Sequence, residues 1–284
     1  MKILFIMIIG FPVFVFAQKK CSGIVIDRIT RSRIPYAAIG LIKENKGINA
    51  NEAGYFTIDV HGNENDTLAV SSVGYNTLKI PVSSLHDNIS IELDEKPSIL
   101  KEVIVQNAYK NSITLNKYSS CTLNHYTTNY KIAQLFTAPT KNALLSEINI
   151  CKSNRKATFR IQVYDMDTIT KSPTTELTDT IIEVNSEKKR VNINVEQYKI
   201  IIPNRNFFIA IEWLLIPENA YTETYTINGE KKTMINYAPM ISFKEIKEVE
   251  GIVALRQYYS GEWEDIVSSD GRKKRFLISV KLKY

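Results

Sequence analysis

The residues of this chain that could do chemistry are few: three histidines, three cysteines, some paired acids and a late cluster of aromatic rings. His61-Gly62-Asn63-Glu64 has the spacing of a zinc-binding His-x-x-Glu pair. A hydrolytic zinc also needs a third protein ligand, a general base and an open site. His86 and His125 are the other histidines, and neither stands in an acidic or histidine-rich stretch, so His61 and Glu64 read as loop residues. Nucleophilic catalysis has no firmer footing, because there is no Gly-x-Ser-x-Gly elbow. Cys121 and His125 lie four apart, which on one strand is about 13 Å at a rise of ~3.3 Å per residue, too far for a proton to pass. The sequence therefore predicts no catalytic residue.

Two candidate ligand sites remain. Asp165 and Asp167, after an apparent strand, could give two oxygens to calcium, whose sites take six to eight ligands. Glu176 and Asp179 are the nearest further acids, and an acidic loop tip is the other reading of the pair. Tyr221, Tyr225, Tyr237, Tyr258, Tyr259 and Trp263 gather in the last third, several in loop-like sequence. Tyr258-Tyr259-Ser260-Gly261-Glu262-Trp263 reads as a strand end running into a turn, so rings on either side of Gly261 can share one rim. Flat rings of this kind stack on sugars, and Glu262 or Asp265 could accept hydroxyl hydrogen bonds beside them.

The elements that must position these residues are strands. In Tyr55–Val60 the apolar Phe56, Ile58 and Val60 alternate with polar neighbours, the period of a half-buried strand. Ile89, Ile91 and Leu93 repeat the pattern, and turn residues separate such runs up to about residue 105. Ser83 to Asn88 has room for one short helical turn. From Tyr118 on, longer strands follow: Phe159–Tyr164, Val191–Val195, Phe207–Trp213 and Ile278–Leu282, with further candidates at Leu145–Cys151, Thr180–Val184, Ile235–Phe243 and Ile252–Tyr258. The fold class predicted is all-β: a seven-stranded Greek-key sandwich over 18–106, a linker at 107–117, and a larger jelly-roll-like sandwich over 118–284. No internal repeat is evident. Outer-membrane barrel strands need ~9–11 residues with an apolar outer face, and these are shorter with polar faces.

Composition places the protein. An apolar run, Ile3 to Phe16, follows Lys2 and ends in Val15-Phe16-Ala17, too short for a spanning helix and suited to a signal peptide cleaved after Ala17. The expected location is outside the cytoplasm: periplasm, outer-membrane surface or medium, with no transmembrane segment after cleavage. Cys21 is preceded by Gln18-Lys19-Lys20 rather than by the aliphatic and small residues of a lipoprotein signal. Of the cysteines, Cys121 and Cys151 can pair within one domain; three buried thiols are the alternative. The chain carries 36 basic and 30 acidic side chains for a net charge of +6. The densest runs, Glu187–Arg190 and Arg272–Arg275, flank apparent strands and read as solvated strand ends, so nucleic acid is not an expected partner.

The order of motifs from Cys21 to Val105 resembles a carboxypeptidase regulatory-like domain, a transthyretin-like β-sandwich. The matching stretches are Gly23-Ile24-Val25-Ile26-Asp27, Ile34-Pro35-Tyr36-Ala37-Ala38-Ile39 and Asn51-Glu52-Ala53-Gly54-Tyr55-Phe56. They continue through Asp66-Thr67-Leu68-Ala69-Val70-Ser71, Val73-Gly74-Tyr75, Ile91-Glu92-Leu93 and Leu100–Val105. The resemblance implies an accessory module without catalytic residues of its own, as found beside carboxypeptidases and at the N-termini of TonB-dependent receptors. Gly54 suits a turn needing positive φ, Phe56 points inward, and Tyr75 caps the sheet edge with its hydroxyl in water. The function predicted is a non-catalytic binding or interaction protein of the cell envelope. An envelope protein or a glycan is its partner, and carbohydrate binding through the late aromatic rings is the alternative form of that reading.

Overall fold

The computed structural model describes residues 19–96, 109–122, 124–128, 130–178, 180–227, 229–246, 253–267 and 271–284. The leader with its cleavage point, the strand expected at Val103–Val105, the start of the linker and Asp179 lie outside them.

Seven strands build the first sandwich: β1 (Lys20–Asp27), β2 (Ala38–Leu41), β3 (Lys46–Asn49), β4 (Tyr55–Asp59), β5 (Thr67–Ser71), β6 (Leu78–Pro81) and β7 (Ile89–Leu93). One sheet has the order β4-β1-β7, with β1 antiparallel to β4 and parallel to β7; the other has the order β3-β2-β5-β6. The period-two pattern does what it predicts. Phe56, Ile58, Ile91 and Leu93 from one sheet meet Ile39, Leu41, Leu68 and Val70 from the other in one buried core. Gly54 has a φ of +76°, which a side chain would oppose, and the helical turn is Val82–Ser84. Cys21 is free and buried, its thiol pushed up by that burial. Tyr75 departs from expectation: burial and then a hydrogen bond with Asp27 push its hydroxyl up to about 12.

The second sandwich begins with β8 (Ser112–Leu115), β9 (His125–Tyr126), β10 (Lys131–Thr137), β11 (Ala143–Cys151), β12 (Ala157–Met166) and β13 (Pro173–Glu176). It continues with β14 (Ile182–Ser186), β15 (Arg190–Asn194), β16 (Ile201–Ile202), β17 (Asn206–Trp213), β18 (Ala220–Ile227) and β19 (Glu230–Tyr237). The last strands are β20 (Ile241–Ile246), β21 (Ala254–Gln257), β22 (Trp263–Asp265), β23 (Lys273–Phe276) and β24 (Ile278–Lys283). The larger sheet runs β13-β12-β17-β10-β21-β22 with β14 also on β12, and faces β15-β11-β24-β8 across a core that includes Phe159, Phe207, Ile211, Ile148 and Val280. Among the described residues no helix is long and apolar enough to cross a membrane.

Several expectations need correcting. Ser112–Leu115, assigned to the linker, pairs with β24, so the second sandwich starts there. Tyr221 and Tyr225, outside every strand candidate, lie on β18, which pairs with β19 as a two-stranded ribbon in register from Ala220 opposite Tyr237. The single strand expected at Ile235–Phe243 is two strands, β19 ending at Tyr237 and β20 starting at Ile241, with the cis Ala238–Pro239 bond between them. Lys273, Lys274 and Arg275 form β23 itself rather than a strand end. Cys121 lies outside any strand and bonds to Cys151, with Cα atoms 5.5 Å apart. Closing a loop of 30 residues in this way stabilises by about 3–4 kcal/mol in chain-entropy terms.

A short repeat is also present. Asp27-Arg28-Ile29-Thr30-Arg31-Ser32 and Asp167-Thr168-Ile169-Thr170-Lys171-Ser172 fold alike. In each, the aspartate Oδ1 accepts from the amides two and three residues on (2.8 and 2.6 Å at Asp27, 2.8 and 2.7 Å at Asp167). The basic residue takes a φ of 59° in both, and the isoleucine at the tip is exposed. The turn is dictated locally by the Asp and Thr side chains, which is why two separate strands share it.

Candidate functional site: a cleft between the two sandwiches

The outer face of β3-β2-β5-β6 is almost bare. Gly47, Gly40, Ala69 and Lys79 stand opposite one another across the four strands, and Asn49, Ala38 and Ser71 form the next row. Large residues alternate inward on these strands, so small ones are left outside. The outer face of the larger sheet is the reverse. Arg160, Glu212, Lys131, Gln257 and Trp263 align across β12, β17, β10, β21 and β22. In the next row Ala210 and Ala133 are small, and on this face the rings of Tyr164 and Trp263 meet edge to face at 6.2 Å, packed with Phe208 and Leu255.

These two faces lie against each other at one end. The Tyr259 ring rests on Gly40 and Gly47, where a Cβ on either glycine would collide with it. Arg160, fully buried, donates from Nη2 to the Pro35 carbonyl (2.9 Å) and from Nη1 towards that of Tyr36 (3.5 Å). The Leu215 amide donates to Asn49 Oδ1 (2.7 Å), and the Tyr130 hydroxyl to the Asn45 carbonyl (3.2 Å). Beyond this contact the faces part and leave a cleft of about 510 Å³, with Ala38, Ala69 and Ser71 on one wall and Tyr164, Tyr258 and Trp263 on the other.

The ionisable groups of the cleft shift one another. Burial would lower the Lys131 pKa, but Tyr164, Glu212 and Glu176 around it outweigh that and hold the ammonium charged. Burial pushes the Tyr164 hydroxyl, 3.3 Å from Lys131 Nζ, up to about 12, so it stays protonated near neutral pH. Glu176 is also raised by burial, against the pull of Lys131. Three buried polar atoms on residues lining the cleft have no hydrogen-bond partner among the described residues: Ser72 Oγ, Gln162 Oε1 and Glu212 Oε2. Gln162 is only 3% exposed, and the ring of Trp213 turns away into the inner core of the second sandwich.

The residues expected from sequence divide cleanly. Tyr258, Tyr259 and Trp263 all line the cleft, either side of the Gly261 turn. Tyr130 joins them, its ring 5.0 Å from Tyr258 and 6.0 Å from Tyr259. Glu262 and Asp265 do not line it: Glu262 is exposed in the turn, and Asp265 lies 3.8 Å from Lys273. Asp165 and Asp167 are not gathered into a metal cage. Asp165 accepts from the Met166 amide and Asn204, and Asp167 from two turn amides. Among the described residues no three His, Cys, Asp or Glu side chains stand close enough to share an ion. His61 is exposed in its turn. Tyr164, Lys131, Gln162 and Glu212 are new; their one signal was polar residues on the outward face of strands whose other outward residues, Phe208 and Ala210, are apolar.

A comparison with curated proteins finds no match. Solved structures of similar shape include the cysteine protease and lectin-like domains of Cwp84, a surface layer associated protein of Clostridium difficile (12% identity, TM-score 0.40, 83% of this chain and 48% of that one). A putative carbohydrate binding protein from Bacteroides uniformis aligns at 10% identity and a TM-score of 0.22, over 78% of this chain and 96% of that one. BcpA, the major pilin subunit of Bacillus cereus, aligns at 11% identity and a TM-score of 0.19, over 93% and 95%. The chain spans about half the length of the first of these. Residues 21–105 match the CarboxypepD_reg-like domain family, so the first sandwich is a CarboxypepD_reg-like domain, as its motifs predicted.

Proposed function

We propose that this is an exported, non-catalytic binding protein whose cleft, walled by both sandwiches, takes a glycan. The observation that carries the reading is the mixture of groups on residues lining the cleft. Lys131 Nζ can only donate, Gln162 Oε1 and Glu212 Oε2 can only accept while Glu212 is ionised, and Ser72 Oγ can do both. Sugar hydroxyls, each donor and acceptor, answer such a set, and a sugar ring has an apolar face for Trp263 and Tyr258. The disulfide supports export, since such bonds persist outside the reducing cytoplasm.

The test is calorimetric titration of an oligosaccharide panel into the whole chain. Trp263→Ala should weaken binding about tenfold or more. Ala69→Leu, which fills the cleft from the bare wall, should abolish it, and Trp263→Ala should not move the melting temperature by more than a few degrees. A lowered melting temperature with no response to any glycan would make Trp263 a structural residue and overturn the reading. The second reading, an envelope protein as partner, draws on the β18–β19 ribbon, where Met234 and Ile235 are 48% and 63% exposed.

A further inference from the structure

Lys79 and Lys96 line the same cleft from the first sandwich, both are exposed, and neither forms an ion pair among the described residues. Lys79 ends the bare row Gly47–Gly40–Ala69. Lys96 follows the Tyr75–Glu95 bridge, and its amide is held by the Gly74 carbonyl at 2.7 Å. Glu95 beside it does not line the cleft.

The floor of the cleft cancels its own charge. Glu212 stands between Arg160 and Lys131 in the cross-strand row, and Glu176, disfavoured as an anion by burial, also faces Lys131. Of these, Lys131, Glu212 and Glu176 line the cleft, and with Glu176 disfavoured as an anion the Lys131 charge is answered by Glu212, so the rim lysines are left as a surplus of positive charge over a wall of rings. Unscreened like charges at the mouth of a cleft favour a ligand of opposite sign and cost the empty protein little, since both ammonium groups stay in water.

We infer that the sugar taken by this cleft is anionic, with its ring on Tyr164, Tyr258 and Trp263 and its carboxylate or sulfate towards Lys79 and Lys96. The inference rests on the glycan reading of the cleft. Ser72, whose buried Oγ lacks a partner, lines the same wall and offers a neutral hydrogen bond beside the two cations.

The experiment compares trigalacturonate with its methyl ester, which keeps the rings and removes the charge, and with a sulfated trisaccharide, each titrated into the intact chain. The acid should bind about three- to tenfold more tightly than the ester in dilute buffer, the range set by one or two solvent-exposed charge contacts. That preference should fade in 0.5 M salt and vanish in the double variant Lys79→Gln/Lys96→Gln. Tighter binding of the sulfated sugar would assign the site to sulfate rather than carboxylate. Equal affinity for acid and ester overturns the charge inference and leaves the glycan cleft standing. An acid preference that survives in the double variant also overturns it. Failure of every sugar, with Trp263→Ala indistinguishable from the parent, overturns both.

Discussion

Arg160→Met is expected to destabilise the protein by about 2–4 kcal/mol and to loosen the seat of one sandwich on the other. The guanidinium is 1% exposed, and its hydrogen bonds are to carbonyls of Pro35 and Tyr36 more than a hundred residues away in the chain. It also lies 5.4 Å from the centre of the Tyr36 ring. Methionine keeps much of the volume but withdraws the charged donor from both part-buried carbonyls. Hydrogen bonds to charged groups are worth ~1.5–3 kcal/mol each. Chemical denaturation should show the loss, and calorimetry should show one transition becoming two. A cost under about 0.5 kcal/mol with a single transition would mean that the guanidinium contributes nothing to the junction.

Phe56→Ala is expected to cost about 3–5 kcal/mol, the range for a buried aromatic ring reduced to a methyl. Phe56 is 5% exposed on β4, a strand at the sheet edge, between Tyr55 and Thr57, both of which face out. Its neighbours in the core come from both sheets of the first sandwich, so the cavity cannot close by a shift of β4 alone. Urea unfolding of the single variant measures this. A cost below about 1 kcal/mol would show that the core does not depend on this ring.

Sequence reading reached the cores more easily than the cleft, for a physical reason. Burial on one face of a strand leaves a period-two trace, so Phe56 and Ile58, or Phe207, Ile209 and Ile211, declare their direction without a partner. Register leaves no such trace. That Gln257, Lys131, Glu212 and Arg160 form one row depends on how four strands slide past each other, and a one-residue slip would scatter them. Arg160, Gln162 and Tyr164 looked like an ordinary wet face because nothing local says another sandwich covers it. Gly40 and Gly47 are likewise silent alone; their meaning comes from the Tyr259 ring that needs them bare. The aromatic rings were legible as a group because Tyr258, Tyr259 and Trp263 are close in sequence around one turn, whereas Glu262 and Asp265 were assigned by proximity and point elsewhere. The β18–β19 ribbon did carry a signal: Asn228-Gly229 between Thr- and Tyr-rich runs is a strong short-range mark of a hairpin.

The central claim is that one ligand touches both sandwiches at once. Amide and indole chemical-shift mapping of the labelled whole chain tests it most directly, using whichever trisaccharide the titrations show to bind most tightly. The account predicts that the amides of Ala69 and Ser71 and the side-chain N–H of Trp263 shift together, along one binding curve. Shifts confined to one sandwich, or gathered on a surface away from Trp263 and Ala69, would contradict it.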